Sequence, residues 1–231
     1  MSGTTPNLDI YFLLDRSGSM ESMASDVIGG FNGFLAAQQA DGPDAVMTLV
    51  QFDSQDPHEV LSDAVAISDV RPLTPATFVP RGGTPLYDAM GHTIADATIR
   101  AEHFRSEHRE AENILFLTFT DGQENQSREY DRAKLFDLVK KREAAGWSFA
   151  YLGANQDAYA EGGAIGYSPG STQNFAADAA GSRAAFASLA TSVSRRRGQI
   201  RRGEHYDNTD LFEGDKAAER DLHEGGNKST L

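Results

Sequence analysis

The sequence predicts an α/β domain built on a doubly wound, mostly parallel sheet with helices on both faces. Three observations carry that reading. Apolar runs of strand length recur at residues 8–14, 46–52 and 114–120, and near-continuous apolarity marks strands buried on both faces. Between them lie segments with apolar residues at steps of three and four, the spacing of an amphipathic helix. Each run stops at a turn signal, so strands and helices alternate as βαβ crossovers require.

The elements follow in order. Residues 8–14 read Leu-Asp-Ile-Tyr-Phe-Leu-Leu and end at Asp15. The helix after them is marked by Met23, Val27, Phe31 and Phe34/Leu35, with Met20 and Met23 read as core, and Gly42-Pro43 terminates it. Residues 46–52 form the second buried strand. Residues 60–67 form a weaker one, joined to it as an edge strand by a hairpin turn around Asp56-Pro57. The stretch 71–85 carries four prolines and Gly82-Gly83, which makes it loop. A second helix is marked by Leu86, Met90, Ile94 and Ala97, and the strand 114–120 stops at Asp121-Gly122. A helix containing Ala133, Phe136, Val139 and Lys140 runs to Gly146, and a strand at 147–152 closes at Gly153. A short helix near 157–161, a short strand near 172–175 and a last helix with Phe186, Leu189 and Val193 on one face complete the pattern.

Composition narrows the function classes. The chain has 231 residues, 39% hydrophobic and 24% charged, with no cysteine. A disulfide scaffold, a thiolate zinc site and a cysteine nucleophile are thereby excluded. The formal net charge of -13 argues against nucleic acid and anionic membranes, both of which reward clustered Lys and Arg. Arg195, Arg196, Arg197, Arg201 and Arg202 are a local exception, read as a solvated helix end whose cations suit the dipole; a phosphate site is the sharper alternative. From Gly203 onward acidic and polar residues dominate, and only Leu211, Phe212 and Leu222 interrupt them. The expected division is a folded domain over 1–202 and an acidic, flexible tail over 203–231, with a segment that orders on a partner as the alternative. The polar start, without a leader pattern, and the lack of any long apolar stretch set a cytoplasmic location as the expectation. Sequons at Asn125 and Asn227 have no secretion signal behind them, and His103 and His108 lack ligand spacing.

In doubly wound sheets, sites form on the loops beyond the carboxyl ends of the strands. Three loops there carry distinctive chemistry: Asp15-Arg16-Ser17-Gly18-Ser19, Gly82-Gly83-Thr84-Pro85 and Thr120-Asp121-Gly122. Between them they offer the carboxylates of Asp15 and Asp121 and the hydroxyls of Ser17, Ser19 and Thr84. These are hard oxygen donors, the set preferred by Mg²⁺, Mn²⁺ or Ca²⁺ over zinc or copper. Asp15, Ser17 and Ser19 alternate, so a tight turn at Gly18 can aim all three at one centre. Pro85 fixes Thr84 near a helix start. Taken singly, the serines and the threonine are better read as helix caps, and Asp121-Gly122 as a turn. Asp53, Glu124 and Asn125 sit near strand ends and are read as rim residues that shape partner choice, with loop solvation as the plainer reading. Asp88 falls in a helical first turn, where an acid suits the dipole.

Residues 12–20, Phe-Leu-Leu-Asp-Arg-Ser-Gly-Ser-Met, resemble the Asp-x-Ser-x-Ser signature of von Willebrand factor A (VWA) domains. Gly83-Thr84-Pro85-Leu86 resembles that family's threonine loop, and Thr120-Asp121-Gly122 its final aspartate. The resemblance covers about residues 7 to 200 and fills all five motif positions. It implies a Rossmann-like, six-stranded sheet with one antiparallel edge strand, and a metal-ion-dependent adhesion site (MIDAS). In that site Ser17, Ser19 and Thr84 would contact the metal directly, and Asp15 and Asp121 directly or through water. It further implies a protein partner with an exposed Asp or Glu, such as an AAA+ ATPase or a stress- or defence-operon complex, as for stand-alone bacterial members. Two other functions stay open. One is a Mg²⁺-dependent phosphohydrolase of the haloacid dehalogenase type, which wants Asp-x-Asp where Ser17 stands and a lysine near the third motif. The other is a structural subunit with a vestigial metal site.

Overall fold

The computed structural model describes residues 8–106, 113–154 and 157–214. Their order is β1 (Leu8–Asp15), α1 (Ala24–Ala40), β2 (Ala45–Phe52), β3 (Glu59–Ala66), α2 (Leu86–Ser106), β4 (Asn113–Thr120), α3 (Arg132–Glu143), β5 (Ser148–Ala154), α4 (Ala158–Ala164), β6 (Thr172–Phe175) and α5 (Ala179–Arg201). The six strands make one sheet in the order β3-β2-β1-β4-β5-β6. Every neighbouring pair is parallel except β2 and β3. The chain leaves β1 toward β2 on one side and resumes at β4 on the other, so β1 and β4 flank the point where the winding reverses.

Alternation along the central strands divides the core in two. Leu8, Ile10, Phe12 and Leu14 of β1 face α1 and α5, while Tyr11 and Leu13 face α2 and α3. Aromatic rings lock the first layer: Phe12 and Phe31 sit 5.2 Å apart edge-to-face, and Phe119 and Phe186 stack at 4.4 Å. On α3 the buried residues are Leu135 and Val139, four apart on one face, whereas Phe136 is 39% exposed.

β3 is the antiparallel edge strand that the pattern indicated. Its register against β2 slips between Met47 and Val50, and Ala64 takes a φ of 46° beside the slip. Thr48 Oγ1 accepts from Ala64 N there at 3.0 Å. A bulge of this kind blunts an open edge against pairing with other chains.

Two expectations are corrected at the amino-terminal edge of the sheet. The arginines of α5 are a solvated helix end only at Arg201 and Arg202, which are exposed. Arg196 and Arg197 are buried, and Arg197 donates to the carbonyls of Gln38 and Gly42 at 2.6 Å each and pairs with Asp44. Nor does the tail begin at 203. Leu211 and Phe212 are buried in the first core layer, and Arg195 donates to their carbonyls at 2.9 and 2.8 Å. Arg196 lies 4.0 Å from the Tyr206 ring and donates to the Asp207 carbonyl at 2.8 Å. Asn208 donates to the carbonyls of Glu143 and Trp147. Charge on α5 thus satisfies the backbone of a packed segment over 203–214. The remainder of the expected tail, with Asn227, and His108 lie outside the described residues. Among the described residues no helix is long and apolar enough to cross a membrane.

Candidate metal centre

The site is assembled by strand register. Leu14 of β1 pairs with Phe119 of β4, so the next residues, Asp15 and Thr120, emerge side by side at the carboxyl edge. Thr120 Oγ1 donates to Asp15 Oδ2 at 2.6 Å, and the turn after β1 brings Ser17 N to Asp15 Oδ1 at 2.7 Å. The same turn places Ser17 Oγ 3.0 Å from Ser19 Oγ, and Ser19 Oγ donates to Asp121 Oδ1 at 2.7 Å. Thr84 arrives from the loop before α2. Its backbone is held on both sides by Asn125, whose Oδ1 accepts from Thr84 N at 2.9 Å and whose N–H donates to Thr84 O at 3.1 Å.

Gly122 marks where these groups meet. A Cβ placed there would lie 3.1 Å from Thr84 Oγ1, 3.5 Å from Ser19 Oγ and 3.9 Å from Asp15 Oδ2. With the Ser17–Ser19 and Ser19–Asp121 contacts, all five side chains singled out in the sequence form one contiguous cluster beside the Gly122 backbone. Asp15, Ser17 and Thr84 are buried, Asp121 is half-buried and Ser19 is exposed. The cluster therefore opens to solvent at Ser19. Among the described residues no three or more His, Cys, Asp or Glu side chains gather as a metal-holding group. A cation here would have to be completed by hydroxyls, which is the donor set in place.

The electrostatics suit a cation. Burial pushes the Asp15 carboxyl up to about 7, against the hydrogen bonds from Thr120 and Ser17, with Asp121 adding to the rise. Burial also raises Asp121, against its bond from Ser19. Two carboxyls confined together without a counter-charge are costly to ionise. A divalent ion between them would remove that cost.

The rim expectation needs correction at Asp53, which is fully buried. Its carboxylate accepts from Arg16 Nε at 2.9 Å, from Arg81 Nε at 2.9 Å and from the backbone of Gln55 and Asp56. Burial acts to raise it, but the bonds from Arg81, Gln55 and Arg16 hold it below the usual carboxylate range. Nothing of Asp53 is left to meet a partner. Glu124 is likewise spent inward: it accepts from Tyr87 N at the start of α2 and from Gln126 N, Ser127 N and Ser127 Oγ. Asn125 alone of the three is exposed. Two roles had no signal in the sequence. Thr120 orients Asp15, and Asp88 accepts from the N–H groups of Arg128, Glu129 and Tyr130, pinning the Asp121 loop to α2 rather than merely serving the helix dipole.

No protein-family model matches the chain, and no curated protein matches it in sequence. Solved structures do match. The pilus adhesin SpaC from Lactobacillus rhamnosus GG superposes with a TM-score of 0.63 at 16% identity, over 85% of this chain and 31% of the adhesin. A von Willebrand factor type A structure from Catenulispora acidiphila gives 0.53 at 12% identity, over 82% and 43% of the two chains. The chain has the VWA fold. Proximal thread matrix protein 1 from the mussel byssus, in a form with a zinc-occupied MIDAS motif, gives 0.51 at 17% identity over 84% and 47%. The chain spans less than half the length of each of these three proteins, and identities this low speak for the VWA fold only.

Proposed function

We propose that this VWA-fold chain is a non-enzymatic protein-binding module. Asp15, Ser17, Ser19, Thr84 and Asp121 hold one hard divalent cation, Mg²⁺ in the first instance or else Mn²⁺ or Ca²⁺, and present it to an acidic side chain of a partner protein. The observation that carries the reading is the gathering of these oxygens around Gly122, with Thr84, Ser19 and Asp15 all inside 4 Å of one point. When bound, the cation supplies Lewis acidity: two carboxylates match its charge, the hydroxyls add none, and it keeps an appetite for an outside carboxylate.

The chain's own residues fix that outcome. Thr120 Oγ1 and Ser17 N hold the Asp15 carboxylate in one orientation, and Asn125 holds Thr84 at both its N–H and its C=O. Preset donors lose little entropy on closing around an ion. Ser19 lies on the solvent side, which is where a partner would approach, with Asn125 at the rim. A pilus adhesin and a byssal protein with a zinc-occupied MIDAS share the fold, which supports adhesion over catalysis.

The test is a pull-down with the AAA+ ATPases and stress- or defence-operon proteins of the same cell as first candidates. Partners should be retained with Mg²⁺ or Mn²⁺, released by chelator, and absent from the Asp15→Ala and Thr84→Ala proteins. The loss corresponds to ~2–5 kcal/mol, the usual cost of removing one member of a buried charged contact. Partners that stay bound through chelator and both substitutions would leave the structural-subunit function standing instead.

A further inference from the structure

The residues that hold the cluster together are not themselves in it. β2 ends at Phe52, and the turn that follows, Asp53-Ser54, carries both of the first two site loops. The first loop hangs on it through Arg16: its N–H donates to Phe52 O at 2.9 Å, and its guanidinium, 5% exposed, donates to Asp53 at 2.9 and 2.6 Å, to Gln51 Oε1 at 3.0 Å and to Glu59. The second loop hangs on it through Arg81, whose Nε donates to Asp53 Oδ2 at 2.9 Å. Ser54 N donates to Gly83 O at 3.0 Å, and Gly83 N donates to Ser54 Oγ at 2.9 Å. The loops then bond one another, Arg81 N to Arg16 O at 2.9 Å and Gly18 N to Gly82 O at 3.0 Å.

The fit leaves little play. A Cβ on Gly82, whose φ is +65°, would fall 2.4 Å from Ser54 Oγ, and one on Gly18 would fall 3.2 Å from Gly82 O. Ser17 and Ser19 ride on the first loop and Thr84 on the second. Their separation is therefore set by the Asp53-Ser54 turn rather than by either loop alone.

We propose that Asp53, Ser54, Arg16 and Arg81 are positioning residues of the cation site: an ion-pair clamp, centred on the buried Asp53 and Arg16, that fixes the serine loop against the threonine loop. The inference rests on the cation-binding function proposed above. Groups that orient metal ligands without touching the metal usually contribute about 10- to 100-fold in affinity. Charge gives the clamp a distinctive signature. Deleting a positive charge near a cation site should tighten cation binding by Coulomb's law, whereas loosening the clamp should weaken it. For Arg81 the two effects have opposite signs.

The experiment follows free Mn²⁺ by electron paramagnetic resonance during titration of the full chain at neutral pH. Arg81 is 38% exposed on its side chain and Ser54 is exposed, so truncating either leaves the core untouched; melting in chelator checks this. Ser54→Ala, which alters no charge, and Arg81→Ala are each expected to weaken Mn²⁺ about tenfold. Arg81→Lys, which retains a donor for Asp53, should recover most of that loss. Arg71→Ala, which removes the same charge from an exposed loop position, should not weaken it. Uptake by the wild type together with unchanged or tighter uptake in Ser54→Ala and Arg81→Ala overturns the clamp and leaves the metal site standing. A wild type that takes up no Mn²⁺ removes the metal site, and the clamp's purpose with it.

Discussion

Gly122 matters for the atom it lacks. Its hydrogen faces the point where Thr84, Ser19 and Asp15 gather, and its φ is not positive, so alanine fits the backbone while its Cβ, 3.1 Å from Thr84 Oγ1, would push that hydroxyl aside by a few tenths of an ångström. Gly122→Ala should weaken Mn²⁺ or Mg²⁺ binding at least about tenfold while the melting temperature in chelator stays near that of the wild type; titration and melting of the same sample check it. Asp15 gives a second residue-scale prediction, with a sign opposite to the usual aspartate. Its folded pKa, about 7, lies above its ordinary 3.8, so between those values the folded chain keeps a proton that the unfolded chain has released. Stability of the metal-free protein therefore falls as pH rises through that window and levels off above it. A cation must displace the same proton, so affinity should drop by roughly tenfold per pH unit below about 7. Urea denaturation in chelator and metal titrations, each at about pH 5.5 and 7.5, test both signs. Asp15 and its four companions were legible in the sequence because a motif is a local spacing. The work of Thr120 was not, since its bond to Asp15 spans 105 positions and depends on β1 lying beside β4.

At the scale of elements, the central strands and α1, α2 and α5 stand where apolar period and turn residues put them. The failures share one cause. A polar or sparsely apolar segment carries no packing signal of its own when its partner lies far along the chain. Two apolar residues, Leu211 and Phe212, looked too few to order the chain after 203, yet they complete a core already built by α5 and the sheet. Arginine looked solvated, yet Arg196 and Arg197 leave α5 in different directions, one to the 203–214 segment and the other to the end of α1. Phe212→Ala should consequently cost about 3–5 kcal/mol, the range for a buried aromatic, read as a shift of the urea midpoint. Ending the chain after Arg202 should destabilise it further, because the Leu211 side chain and the bonds from Arg195 are lost as well. A truncated chain as stable as the full one would mean the segment contributes nothing.

Taken whole, the molecule is a layered sheet whose winding reverses between β1 and β4, and the cluster lies just beyond that reversal. Burial of the central strands on both faces anchors Asp15 and Thr120 at the strand ends, and the bonded loops between them carry Ser17, Ser19 and Thr84 to the same edge. The net charge of -13 adds a long-range field that favours cations over anions. Titration calorimetry with Mg²⁺ or Mn²⁺ at about pH 7.5 should find one ion taken up per chain, and should find that uptake lost in both Asp15→Asn and Thr84→Ala. No measurable uptake by the wild type, or equal uptake by both variants, would contradict it.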